Sequence, residues 1–256
     1  MMDPATMIGV IGALVFIVVA NVMEGGNPMS LLLLPPILLV VGGTIMISIA
    51  GGTIADTKLA VRGMVKAFTG KAGNAAELVP TLVSLSEKAR REGLLALEDA
   101  LADVDEPFLS RGLTLAIDGT DPEEVRDILE AEVIAVRAEA KQSAKFWNAA
   151  GAYAPTIGII GTVMGLVHVL ENLAQPEELG HLIAGAFVAT LWGVMSANVF
   201  FLPVGARILR LGELETARME LIIEGIAALQ AGSNPRVVAQ RLQSLLPADQ
   251  REPEAA

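Results

Sequence analysis

The stretch APTIGIIGTVMGLVHVL, Ala154 to Leu170, decides how the rest of the chain is read. Its 14 residues from Thr156 to Val169 include no Asp, Glu, Lys or Arg, as in a helix that crosses a membrane. Yet it opens on Pro155 and carries Gly158, Gly161 and Gly165 where leucines would make a better lipid-facing surface. Small residues at this spacing let helix backbones approach closely, so something other than lipid is expected against this face.

The whole chain agrees with a membrane setting. It has 256 residues, 53% of them hydrophobic and 18% charged. The mean hydropathy is +0.56, too apolar for an ordinary soluble domain of this size. There are no cysteines and only two histidines, His168 and His181, which argues against a thiolate or zinc site. A net charge of -11 and no Lys/Arg-rich run argue against nucleic-acid binding.

A helix needs about 20 largely apolar residues to cross a hydrocarbon core of roughly 30 Å. Four segments meet that requirement: Ala5 to Met23, Met29 to Gly52, Gly151 to Leu170 and Leu182 to Val204, none with an Asp, Glu, Lys or Arg. The first lacks a basic lead-in and is soon followed by another span, so it reads as a retained span rather than a cleaved leader. All 18 Lys and Arg lie between Lys58 and Lys145 or from Arg207 onward, and the turns EGGNP and ENLAQPEELGH hold none. Basic segments stay on the cytoplasmic side, which puts both termini and the long middle segment inside and the two short turns outside.

The expectation is therefore an all-α polytopic membrane protein with four transmembrane helices and a helical cytoplasmic domain between the second and third. The divisions fall at residues 1–52, 53–148, 149–206 and 207–256, the last holding a cytoplasmic helix and a polar tail, LPADQREPEAA, expected to be irregular. Asp121, Pro122 and Glu124 form a helix start, followed by Val125, Ile128, Leu129, Val133 and Val136 at helical spacing. That helix has no evident stop before the third span. An earlier amphipathic stretch, from Glu77 to Val104, is interrupted at Gly93, which suggests two short helices meeting at a turn.

Within the spans, Gly161 and Gly165 form one small pair and Gly158 and Thr162 another, while Gly185, Ala189, Gly193 and Ala197 recur every four residues in the fourth. Packing within one chain and packing in an oligomeric or heteromeric bundle both fit. Thr162 and Thr190 sit mid-span, where a hydroxyl either bonds its own i−4 carbonyl or faces a polar path and helps replace an ion's water. Pro155 and Pro203 stand at the cytoplasmic mouths, as hinges or, more simply, as helix ends. His168 and Glu171 read as a surface pair, and His181 as an interfacial anchor.

These residues resemble the MotA/PomA family, the A subunits of the bacterial flagellar motor stator, over all but the C-terminal tail. The resemblance is carried by VVGGTI with Gly42, Gly43 and Thr44, by RREGLLALE from Arg90 to Glu98, and by the two spans APTIGIIGTVMGLVHVL and LGHLIAGAFVATLWGVMSANVFFLP. Two spans ahead of the cytoplasmic domain favour this branch over the ExbB/TolQ type, which usually has one. The resemblance implies a multi-pass inner-membrane protein in a homo-oligomeric ring around a B subunit, conducting protons or sodium ions to generate torque for motility. Pro155 and Pro203 resemble the family's prolines beside the ion path, and Thr162 and Thr190 its pore positions. Arg90 and Glu98, with Arg91 beside them, match the charges that contact the rotor switch protein FliG.

An intramembrane cation site typically uses a carboxylate, and no span here has one. The acid must then come from another chain, which in the family is an aspartate on the single span of the B subunit. On this reading Gly158, Gly161, Gly165, Gly185, Ala189 and Gly193 pack against that partner helix. No cofactor is implied beyond the transported cation, and no enzymatic chemistry, since the spans hold no nucleophile beside a base. The rivals are an ExbB/TolQ-like energiser of outer-membrane transport and a non-conducting scaffold in the lipid bilayer.

Overall fold

Prolines and short polar caps set where the helices begin. Asn27, Asn74 and Asn234 each accept a bond from the backbone two residues on, ahead of Pro28, Ala75 and Pro235, and Asp121 accepts from Glu123 N at 2.9 Å, ahead of Pro122. Thr53 and Asp56 cap each other's backbone reciprocally. Each arrangement satisfies amide groups that a helix start leaves without partners. Asp56 is held below the usual carboxylate range by the Thr53 backbone N–H, then by the Gln142 amide and the Thr53 hydroxyl.

The computed structural model describes residues 4–70 and 73–251, which form helices and turns and no strand. We number the helices α1 Ala5–Met23, α2 Leu34–Ala50, α3 Ile54–Thr69, α4 Val79–Glu92, α5 Pro107–Ile117, α6 Pro122–Glu171, α7 Pro176–Gln230 and α8 Pro235–Leu245. Three of them, α1, α6 and α7, are long and apolar enough to cross a membrane. At 1.5 Å per residue, α6 and α7 are about 75–80 Å long, more than twice a hydrocarbon core, and only part of each is apolar.

Several sequence expectations are corrected. Met29 to Gly52 is not one helix: Pro28–Leu31 form a 3-10 turn and the helix proper, α2, starts at Leu34 with Pro35 and Pro36 in its first turn. The helix from Pro122 does run unbroken into the third span, through Pro155 to Glu171, whereas Pro203, read more simply as a helix end, lies inside α7, which continues to Gln230. Gly93, at φ +87, closes α4 as expected, but two 3-10 turns follow it rather than a second α-helix. The tail is not irregular from its start: Leu246 is only 2% exposed, and Arg251 donates to its carbonyl at 2.9 Å. Residues 252–256 of that tail lie outside the described residues.

The described residues fall into two compact units, the first drawn from Met1–Lys71 and Glu139–Leu211, the second from Ala72–Ala138 and Gly212–Ala256. The first has a core of alanines and aromatics: Ala60, Ala67, Ala144 and Ala150 let α3, α6 and α7 come close, and Trp147 lies at its centre. Trp147 stacks on Phe201, meets Phe146 and Phe200 edge-on, and donates its indole N–H to the Ala60 carbonyl at 2.9 Å. By contrast α1 has no buried residue at all, so its apolar surface awaits lipid or another chain.

The second unit has a core rich in leucine and isoleucine. Leu82, Leu97, Leu109, Leu113, Leu129 and Ile226 are fully or almost fully buried, with α8 packed along α4. The pattern after Pro122 appears as expected for Val125, Leu129 and Val133, whereas Ile128 is exposed. Around this core run ion pairs that tie distant segments together: Arg126 and Arg241 on Glu224, Arg137 on Glu220, Arg218 on Glu106, and Arg111 on Glu132. Arg126 is held above its ordinary value first by its hydrogen bond to Glu224.

One pH dependence follows from Asp56. Its folded pKa is depressed, so its contribution to stability is full above the ordinary carboxylate value near 4 and is lost as pH falls through the lower folded value. In thermal melts across pH 2–6, Asp56→Asn should lower stability at pH 6 and show a smaller acid-induced decline than the parent chain.

Candidate functional site

The apolar parts of α6 and α7 form an antiparallel hairpin whose spacing is dictated by backbone. A Cβ built on Gly158 would lie 2.9 Å from the Ala189 carbonyl and 3.1 Å from Gly193 Cα, and one on Gly193 would lie 2.7 Å from the Ala154 carbonyl. Gly161 and Gly165 press on Ala189 and Ala186 in the same way. Backbone atoms cannot rotate aside, so only glycine fits where the helices cross. Gly158 and Gly193 thus serve the chain's own hairpin, one of the two packings the spacing allows, while Gly161, Gly165 and Ala189 also line an open groove. Gly185 differs, being half-buried, and a Cβ built on it would come no nearer than 4.0 Å to Leu33.

The surface α6 leaves open is bulky instead. Ile160, Val163, Met164 and Val167 are all at least half exposed, on one side of the helix. A second helix or lipid chain on that side meets aliphatic side chains.

Across this hairpin the two threonines meet. Thr162 and Thr190, both half-buried, share a hydrogen bond between their hydroxyls. The Thr162 hydroxyl also lies 3.1 Å from both the Gly158 carbonyl, four residues back, and the Ala186 carbonyl of α7. A hydroxyl has one proton and two lone pairs. When Thr162 gives its proton to a carbonyl, Thr190 donates to Thr162, and Thr190 keeps lone pairs for a cation or a water. The local i−4 bond is thus made and still leaves an oxygen of the pair open to a further partner. Ser196 and Asn198 bond carbonyls of their own helix, Gly193 at 3.3 Å and Val194 at 2.8 Å.

The register of the hairpin changes near the prolines. Gly158 faces Gly193, but Gly151 faces Leu202 and Asn148 faces Gly205. Seven residues of α6 are thus matched by nine of α7, and the surplus is taken up by a wide π turn at Ser196–Phe201. Such turns interrupt the i→i−4 ladder and recur at functional sites. Pro203 follows immediately and, having no N–H, withholds a further helical bond. Pro155 lies about one to two turns along the hairpin from Pro203, so the two prolines weaken neighbouring levels of it rather than one.

In the second unit, Arg90, Arg91 and Glu98 are exposed and make no ion pair among the described residues, unlike the arginines around the core. Arg90 and Arg91 end α4, where cations suit the helix dipole. Leu95 lies between these charges and is 73% exposed. The sequence reading missed it because GLLALE looks like core spacing, and its neighbour Leu97 is indeed fully buried. At the opposite end of the first unit's hairpin, His168 lies 3.4 Å from Glu171 on the surface, as expected, and lines a groove of about 450 Å³ with His181 and Gly185.

Comparison with known proteins agrees with this arrangement. Residues 100–221 match the model of the MotA/TolQ/ExbB proton channel family. Motility protein A of Bacillus subtilis is 38% identical over 98% of this chain and 93% of its own. The fold superimposes on a chain of the structure of C. jejuni MotAB with a TM-score of 0.93 and 29% identity, covering 100% of this chain and 99% of that one. It superimposes on a chain of the flagellar MotAB stator complex from Bacillus subtilis with a TM-score of 0.89 and 36% identity, covering 96% and 97%.

Two predictions follow. Gly193→Ala should destabilise the detergent-solubilised chain by about 1–3 kcal/mol through overpacking, while Gly9→Ala, where a Cβ meets nothing within 4 Å, should not, as read by thermal melting. A double-mutant cycle on Thr162→Val and Thr190→Val should show coupling of about 0.5–1.5 kcal/mol; strictly additive effects would mean that the hydroxyls do not interact.

Proposed function

The chain belongs to the MotA/TolQ/ExbB proton channel family, and from that premise we propose that it is the A subunit of an ion-driven flagellar motor stator. With a B subunit it forms a cation channel and converts proton or sodium motive force into torque on the rotor. The observation that carries this reading is the hairpin of α6 and α7, a closely packed apolar pair with a hydroxyl pair at its centre and no acid of its own. Likeness along nearly the full length of Motility protein A, including two apolar helices ahead of the middle segment, supports the stator branch over an ExbB/TolQ-like energiser.

In this reading the chain crosses the inner membrane four times, with α2 as the fourth, shorter crossing. The first half of α1 shares a groove with Arg207 and Arg210 of α7, whereas the start of α2 shares one with His168 and His181. Ends that share a groove belong to one side of the bilayer, which supports an inward N-terminus and outward short turns. Several copies form a ring around the B subunits.

The mechanism begins with an ion on the partner's aspartate. Neutralised, that group moves past the aliphatic wall of α6, which a bare carboxylate crosses only at high cost. Thr190, with Thr162 behind it, supplies oxygen atoms that stand in for water along the way. The turns around Pro155 and Pro203, already short of backbone bonds, yield as each subunit is passed. Both α6 and α7 continue without a break into residues of the second unit, so a shift there is carried towards Arg90, Arg91 and Glu98. These charges, with no ion pair to give up, engage the rotor switch protein FliG.

Co-reconstitution in liposomes with a single-span acidic partner tests the proposal. The pair should pass protons or sodium and the chain alone should not; cation flux through the chain alone would overturn it. Thr190→Val should reduce flux by about tenfold, the value of one hydrogen bond to a charged group. Arg90→Glu with Glu98→Lys should abolish torque in tethered cells while leaving flux unchanged.

A further inference from the structure

Apart from Pro203 and the turn before it, the residues lining the groove between α1 and α7 take no part in the conduction described above. It has a volume of about 500 Å³, within the range of ligand-binding pockets, and is lined by the first half of α1 and by α7 from Asn198 to Arg210. Along α1 the lining is a face of small residues, Ala5, Gly9 and Ala13, at four-residue spacing. Such a face ordinarily draws a neighbouring helix into contact. Here α1 touches α7 at the Ser196–Phe201 turn, yet a Cβ added to Gly9 would meet nothing within 4 Å. The mouth of the groove is polar and cationic, with Thr6 on one helix and Arg207 and Arg210 on the other.

We propose that this groove binds an anionic phospholipid of the cytoplasmic leaflet, with an acyl chain along Gly9 and Ala13 and the phosphate at Arg207 and Arg210. The apolar lining of Gly9, Val10, Ala13 and Val199 suits an acyl chain. Charge favours an anionic headgroup. Arg207 and Arg210 are three residues apart and so share one side of the helix. A guanidinium carries five donors and matches phosphate in a bidentate fork, so an ion pair within the chain does not exhaust it. The cytoplasmic surface is also where anionic lipids attract such side chains. Bound there, a lipid covers part of α1, which the chain itself leaves bare.

The assignment rests on the membrane placement proposed above, and the test separates the two. The full-length chain is exchanged into nanodiscs of equal phosphatidylglycerol and phosphatidylcholine, released into mild detergent, and its retained lipids counted by native mass spectrometry. Phosphatidylglycerol should be retained in preference by roughly tenfold or more, falling to about parity in Arg207→Gln/Arg210→Gln, as expected from losing two basic contacts. Gly9→Leu, which fills the groove, should lose both lipids, with melting temperature and membrane retention checking that each variant is folded. Unchanged preference in the double variant overturns the headgroup assignment. The chain has no native cysteine, so cross-linking of Gly9→Cys to the same residue of a second copy in native membranes would show a protein occupant and overturn the lipid. A chain that survives alkaline carbonate extraction yet retains no anionic lipid overturns the lipid site alone; a chain stripped from the membrane overturns both.

Discussion

The close approach of α6 and α7 at Gly158 and Gly193 is the constraint on which the rest depends. There the backbones come so near that a methyl group on Gly193 would sit 2.7 Å from the Ala154 carbonyl. In lipid there is no hydrophobic drive between helices, so contact of this kind has to hold them together. It also fixes which side chains meet: with Gly158 opposite Gly193, Thr162 is brought to Thr190. A hairpin opened by bulkier residues would separate the hydroxyls and expose their carbonyl partners to hydrocarbon.

The same constraint defines what the hairpin lacks. Glycine and alanine fill its interior, aliphatic side chains cover the open side of α6, and no acid occurs along either apolar stretch. A structure of this kind offers hydroxyl and carbonyl oxygens but no group that can carry charge. In the proposed stator the charge carrier is therefore mobile, brought by a partner that slides on an aliphatic face. Such a face has weak, non-directional contacts, which suits a surface along which a helix must repeatedly let go. In that proposal the relief of backbone bonding at Ser196–Phe201 and at the two prolines provides the levels at which the helices yield.

The second unit handles charge in two opposite ways. Around the second core, arginines are committed to glutamates from distant segments, with Glu224 serving two of them. Arg90, Arg91 and Glu98 stand apart from that network, around the exposed Leu95. Charges already paired within the chain resist being recruited, since a new partner must replace the old one. Those left in water are available for contacts that form and break, with an apolar side chain at their centre of the kind that anchors interfaces.

Much of this was legible in the sequence because its signals are local. Apolar runs longer than a bilayer is thick, the Asp121–Pro122 start, the break at Gly93 and the clustering of all 18 basic residues need no knowledge of the fold. The glycine spacing likewise announced close packing. It could not say against what, because periodicity describes the composition of a face and not its neighbour. Only the tertiary structure set Gly158 against Gly193 in the chain's own hairpin, carried α7 through Pro203, buried Leu246 and left Leu95 bare. Each of these depends on residues far apart in sequence meeting in space, where backbone separation and side-chain volume, rather than residue type alone, choose the outcome.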